Sequence, residues 1–582
     1  MAYLTKSRFK IGISCPTKLY YESNSQQFYN NDDVNEFMKA LAKGGLQSGE
    51  LAKLYYPGGI EIDGDSKEKQ LEQTNTALKQ ENVIIYEAAI KIDHKFIRVD
   101  ILEKKGRAIK VIEVKSKSCD GVEESQFFNK SNKIESGERP YLEDIAFQYL
   151  VCLEAFPECN IIPYLMMPNK QIKCSVDGLY SQFVIKKKGI RDECKVAKGV
   201  TKDKLGVQIM SAVKVKDTVE YLINDDYYRD HPDFGGRSFK AVIDWFNKLL
   251  EGYENNAPCY FTEPFVKCRN CEYKSTEVKK SGFHQCMIKK KNWRISDFER
   301  PKVWDVWNSP KLKDFLNEGR WFMNEIDSSD INIGTRSDRQ ILQIENTNNN
   351  IKEAYIDIEG LKAEFDEFDW PLNLIDFETT GPAIPFFKGY EPYQGLCFQF
   401  SHHTLHKDGR VEHAGEYLGI GQGKNPSFEF IEELHISLSK NDGDVFMYSN
   451  HENTYLNYMI KLLWKESPYS PEKTEKLVLF LQSLTKPSGD ITPKWEEGNR
   501  KMIDMAVMVR SYYWHPDMKG SNSIKQVLPA IMNDSQFIKD KYSKAIYGIQ
   551  KEVKSLNFKN HQWVEFEKDG TVMDPYKNLP DL

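Results

Sequence analysis

Apolar and polar positions divide the chain into two α/β halves joined by a polar stretch. Near the start, Lys10-Ile-Gly-Ile-Ser-Cys-Pro-Thr-Lys-Leu-Tyr-Tyr21 places Cys15 before Pro16, at a turn or a helix start. Apolar residues at helical spacing predict a helix over Val34 to Tyr55, ended by Pro57-Gly58-Gly59, and another over Lys67 to Lys79. Three β-branched runs follow, Val83 to Ile92, Phe96 to Leu102 and Ile109 to Ser116, each read as a strand. Leu142 to Glu154 returns to the helical period, and Ile161 to Met167 reads as a further strand. Helix, three strands, helix, strand is the order of an α/β core. Residues 178–252 are charged and mixed and end in an amphipathic helix, Phe239 to Leu250. From Trp293 to Asp369 the chain is polar and turn-rich, with Asn346-Thr-Asn-Asn-Asn350 as its clearest breaker. A second α/β pattern begins near Trp370. It comprises strands at Leu372 to Thr380 and Leu396 to Leu405, a helix at Phe428 to Leu438, a strand at Asp444 to Ser449 and a helix after Glu452. Met502 to Arg510 and a helix start at Ser523 to Pro529 follow. The expected domains are 1–290, a connecting region 291–369, and 370–582.

Strand periodicity then locates charge. Alternate side chains of a strand share a face, so Glu113 and Lys115 in Val111-Ile-Glu-Val-Lys115 point the same way. Opposite charges at the end of a buried strand are costly unless paired or liganded. Asp100 lies on the preceding strand and Glu87 on the one before it. Two readings follow: a plain salt bridge on a sheet edge, or an acid set holding Mg²⁺ or Mn²⁺ beside an ammonium. In the second half, Asp376 and Glu378 share a face of one strand in the same way, and like charges side by side favour a bound cation. His402, His403 and His406 form a second, weaker metal candidate, since histidines serve many roles.

Cysteine spacing adds a third feature. Cys268-Arg-Asn-Cys271 presents two thiolates to one centre, with Cys286 close behind. Cys259 or His284 as fourth ligand would make a zinc site; Cys15 would make an all-cysteine site able to hold a [4Fe–4S] cluster. The lysines at 279–280 and 289–291 flank this segment, as a solvated face or as a grip on a phosphate backbone.

Composition narrows the class. With 582 residues, 40% of them hydrophobic, there is material for several cores. A net charge of −6 excludes a general basic coat, so nucleic-acid binding must use local patches. The N-terminal residues lack the apolar core of a signal peptide, and no run of about 18 apolar residues indicates a membrane span. A cytoplasmic chain is expected, whose cysteines bind metal more readily than they pair.

Asp100, Glu113-Val-Lys115, Gln148 within Phe147-Gln-Tyr149, and Ser14-Cys-Pro-Thr-Lys-Leu-Tyr-Tyr21 together resemble the PD-(D/E)XK nuclease superfamily. The likeness is to its RecB-like, iron–sulfur branch, which includes CRISPR-adaptation and AddB-type nucleases. The resemblance covers residues 1–290. It implies a restriction-endonuclease-like core with an iron–sulfur subdomain. It implies catalysis by Glu87, Asp100, Glu113, Lys115 and Gln148, with Asp100 and Glu113 on the metal, and Cys15, Cys268, Cys271 and Cys286 on a [4Fe–4S] cluster. The family's metal-ligand histidine is missing from Gly44-Gly-Leu-Gln-Ser-Gly-Glu50, where Glu50 is the available acid. Cys152 stands where the family's helix motif has tyrosine. Ile375-Asp-Phe-Glu-Thr379 resembles the first motif of DEDD 3′–5′ exonucleases, with a ribonuclease-H-like fold. Asp376 and Glu378 would bind metal there, Glu452 would be the second-motif acid and Asp504 an accessory one. No convincing copy of the last DEDD acid is found. The order of the two halves resembles an uncharacterised bacterial family. The implied function is a Mg²⁺- or Mn²⁺-dependent nuclease on DNA, single-stranded or at ends, in phage defence or repair, with protein partners in such a complex. The alternatives are a catalytically impaired nucleic-acid-binding scaffold and an RNA-processing nuclease.

Overall fold

The computed structural model describes residues 3–34, 36–189, 191–421, 423–489 and 493–578. The chain folds into two mixed α/β units, 1–298 with 381–394, and 299–380 with 395–582. Residues 299–369, expected as a connection, thus pack with the second unit, and 381–394 with the first. Residue 35 of the predicted first long helix, and residues 579–582, lie outside the described residues.

The first unit is built on a mixed sheet. Its main strands are β1 (Asn82–Ile92), β2 (Lys95–Lys105), β3 (Ala108–Val114), β4 (Asn160–Pro168) and β5 (Met210–Lys214). They lie in that order, with Ile60–Glu61 beyond β1 and Leu4–Thr5 paired to the start of β2. β1, β2 and β3 form an antiparallel meander, and β3 and β4 run parallel. A parallel neighbour needs a crossover. The helix Arg139–Ala155 supplies it, after α1 (Lys6–Ser14), α2 (Lys18–Ser23), α3 (Glu36–Tyr55) and α4 (Lys67–Ala77), and is α5 here. Every residue of α5 from Leu142 to Cys152 is buried, including the polar Glu143, Asp144 and Gln148. Polar groups so placed must find partners. Phe9 of α1 stacks on Phe147 of α5, ring centroids 4.7 Å apart. Gly12, one turn on, lies so close to Phe246 of α6 (Phe239–Glu254) that a Cβ there would stand 2.6 Å from its ring. The β1–β2 ladder keeps one register throughout and is broken only where Glu87 would face Asp100; Glu87 has φ +57°.

The second unit carries its own sheet. β6 (Leu372–Thr380), β7 (Leu396–Leu405) and β8 (Val411–Leu418) form an antiparallel meander. On the other side of β6 lie β9 (Val445–Met447) and β10 (Ile503–Asp504), both parallel to it. A helix, α8 (Pro426–Leu438), follows the meander, and α9 (His451–Glu466) follows β9. Phe430 of α8 packs edge-on against Phe377 and Phe400 of the sheet.

Candidate functional site

Three groups of side chains carry chemistry. The first lies at the end of β3, in the middle of the first sheet rather than on an edge. Glu113 is 1% exposed. Its carboxylate accepts from Lys115 Nζ at 2.6 Å, from Gln148 Nε2 at 2.7 Å and from Lys6 Nζ at 2.9 Å. Lys115 also donates to Asp144 Oδ2 at 2.5 Å. Asp100 Oδ2 accepts from the backbone of Val114 at 2.7 Å, which fixes the carboxylate over the strand end. Gln148 Nε2 donates to Glu113 and, at 3.4 Å, to Asp144 Oδ1, and its Oε1 is buried without a partner.

Electrostatics here are set by burial against pairing. Burial would raise the Glu113 carboxyl, but Lys6 and Lys115 outweigh it and hold it far below the usual range. Burial would lower Lys115, but Glu113 and Asp144 outweigh it and keep the ammonium protonated. Asp100 and Asp144 are raised, first by burial and then by the neighbouring Glu113. Asp100, Glu113, Lys115 and Gln148 are therefore brought together as the sequence suggests. Lys6 and Asp144 were not foreseen. Asp144 had a signal, since it precedes Gln148 by one helical turn on a face that is otherwise apolar. Lys6 had none. Glu87 lies at the break in the ladder opposite Asp100, and its carboxylate pairs with Arg98, 3.3 Å away. Glu50 bonds to Lys53 and is not among the partners of these acids.

The second group is a cavity lined by Cys15, Cys268, Cys271 and Cys286, together with Thr17, Lys18 and Tyr21. α1 ends at Cys15, and Cys286 lies on α7 (Gly282–Lys291). The chain ends of the unit meet here: Thr262 Oγ1 lies 3.2 Å from Cys15 Sγ and 3.0 Å from Thr17 Oγ1. Tyr21 donates its hydroxyl to the Gly282 carbonyl, and its oxygen lies 3.1 Å from Cys286 Sγ. Burial pushes the thiols of Cys268 and Cys271 up to about 11 and about 12. Cys259 and His284 do not line the cavity; His284 Nδ1 is 2.7 Å from Ser281 Oγ. Among the described residues no group of three or more Cys, His, Asp or Glu side chains is placed to hold a metal ion.

The third group lies in the second unit. Asp376 and Glu378 are exposed on β6. Glu452, in the first turn of α9, is 3% exposed, and its Oε2 has no partner. Burial, then the charge of Asp376 and of Asp504, pushes the Glu452 carboxyl up to about 7. Asp504 accepts from the backbone of Ser449 and Ala506, each at 2.8 Å, so it caps the following helix as well as facing this group. Among the described residues no lysine or arginine pairs with these four acids, unlike those of the first unit. The orphaned buried oxygen of Glu452 is hard-donor chemistry of the kind divalent cations take, although these acids do not converge as a ready group of three. The three histidines do not converge. His402 is buried between Asn373 and Ser437, His403 stacks on His413, and His406 reaches Glu412. Alternation along β7 sends neighbours to opposite faces.

Among the described residues no helix is long and apolar enough to cross a membrane. No curated protein and no solved structure matches the chain. Residues 373–523 match a family model described as a domain of unknown function, DUF2779, and this stretch carries Asp376, Glu378, Glu452 and Asp504.

Proposed function

We propose that this chain is a cytoplasmic, Mg²⁺- or Mn²⁺-dependent nuclease that hydrolyses DNA at the Asp100–Glu113–Lys115 site, in repair or phage defence. The observation that carries the reading is Lys115, held between Glu113 and Asp144 beside Asp100 at the centre of a mixed sheet. Glu113 and Asp100 supply the hard oxygens that would hold the metal. A divalent cation there acts as a Lewis acid and lowers the pKa of a coordinated water. Lys115 stays protonated through the reaction, so it orients the attacking water and offsets phosphoryl charge rather than taking a proton. Gln148 fixes the Glu113 carboxylate and has one acceptor left for a water or a strand. The antiparallel meander with a parallel fourth strand supports the PD-(D/E)XK-like reading.

The four thiols would hold a [4Fe–4S] cluster that ties the first helices to the segment 262–286. All eleven cysteines are free, which suits a reducing compartment. In the second unit, a three-strand meander flanked by two parallel strands supports the ribonuclease-H-like reading, with Asp376, Glu378 and Glu452 as cation ligands. Lys115→Ala and Asp376→Asn, assayed separately on labelled single- and double-stranded DNA and on RNA with each metal, test the assignment. Loss with Lys115→Ala alone assigns the first site; activity untouched by either change overturns both assignments. Preference for RNA would replace the DNA reading.

A further inference from the structure

Lys6 stands 2.9 Å from both oxygens of Glu113 and 3.5 Å from Asp100 Oδ1. Its ammonium is therefore shared between the two carboxylates that would hold the metal. Lys115 already satisfies Glu113 from the other side and is engaged by Asp144 as well. The root of Lys6 is fixed: Thr5 caps α1, Leu4 and Thr5 pair with β2, and Phe9 stacks on α5. The side chain itself is 26% exposed, against 14% for Lys115. A flexible four-carbon stem on a rigid root lets the ammonium leave without moving the helix. Lys115, by contrast, is enclosed by its two acids.

We propose that Lys6 is an internal counter-ion of this site, occupying the place between Asp100 and Glu113 until a divalent cation displaces it. The proposal rests on the metal-site reading above. It makes the site fully assembled without metal and sets the metal concentration at which it loads. An ammonium competing at contact distance weakens cation binding by about ten-fold, the scale of one pKa unit at a neighbouring group.

The test follows Mn²⁺ binding by loss of the free-ion EPR signal. It uses full-length protein purified anaerobically and carrying Asp376→Asn, and binding lost with Glu113→Gln is counted as the first site. Lys6→Met is expected to bind Mn²⁺ about ten-fold tighter, on the same electrostatic ground, and Lys6→Arg no tighter than the parent. Equal or weaker binding by folded Lys6→Met overturns the proposal and leaves the metal site standing. Absence of any Glu113-dependent binding overturns both. A second measurement needs no variant: amine labelling of the native chain read by mass spectrometry. Mn²⁺ should raise labelling of Lys6 several-fold and leave Lys115 protected, and unchanged or reduced Lys6 labelling contradicts displacement.

Discussion

At Glu113 a buried carboxylate is held by two ammonium groups and an amide, and each of these depends on it in return. Glu113→Ala leaves Lys6 and Lys115 facing Asp100 and Asp144 with a hole between them. Breaking a buried pair costs about 3–5 kcal/mol, and the partial exposure of Lys6 puts this case at the low end. The urea midpoint of the first unit should fall accordingly. Glu452 is the opposite case, a buried carboxyl with no cation. Its folded pKa is about 7 against an ordinary 4.5. The folded state therefore holds the proton more tightly. The stability this contributes is complete below the unfolded pKa and is lost as pH rises through about 7. In metal-free protein the second unit should lose about 3 kcal/mol over that interval through this group. Glu452→Gln should flatten the profile of melting temperature against pH, and Mn²⁺ should restore stability at neutral pH. Glu113 and Lys115 were legible because strand alternation alone puts them on one face. Lys6 was not, since its partners lie 94 and 107 residues away and nothing local marks it.

Among the elements, α1 has two ends with different tasks. Lys6 begins it inside the acid site, and Cys15 closes it at the thiol cavity. Nine residues at 1.5 Å rise make it about 13 Å long, so the two sites stand one short helix apart. Its seat on α6 depends on Gly12. Gly12→Val should overpack against Phe246 and cost about 1–3 kcal/mol. It should also increase thiol reactivity at Cys15 in the iron-free protein, measured with an aromatic disulfide reagent. Long β-branched runs and apolar helices were readable from pattern: β1 to β4, α5, β6 and β7 lie where periodicity puts them. β8 was missed because Val411-Glu-His-Ala-Gly-Glu-Tyr-Leu418 shows no clean apolar alternation and only one buried position. Leu4–Thr5 was missed because two residues make no period; its strand exists only through pairing with β2.

For the whole molecule, the cysteine cavity joins Thr17 and Thr262, 245 residues apart, within the first unit. The proposed cluster would close so long a loop and would couple metal content to folding. Removing iron with a chelator should lower the first melting transition and leave the second unit's transition in place, visible by calorimetry as two separating peaks. The division into units was only partly legible. The polar stretch before Trp370 looked like a connector because its short helices are separated by turns, yet residues 299–369 pack into the second unit. Residues 381–394 follow a strand of the second sheet but bury Ile384 in the first unit's core, which local composition does not signal. The central claim is that phosphodiester cleavage belongs to the first unit. Its most direct test is Mn²⁺-dependent cleavage of end-labelled DNA by the native chain and by Lys115→Ala at matched DNA binding. The account predicts a loss of about 10²–10³-fold with binding retained; cleavage at the native rate by Lys115→Ala would contradict it.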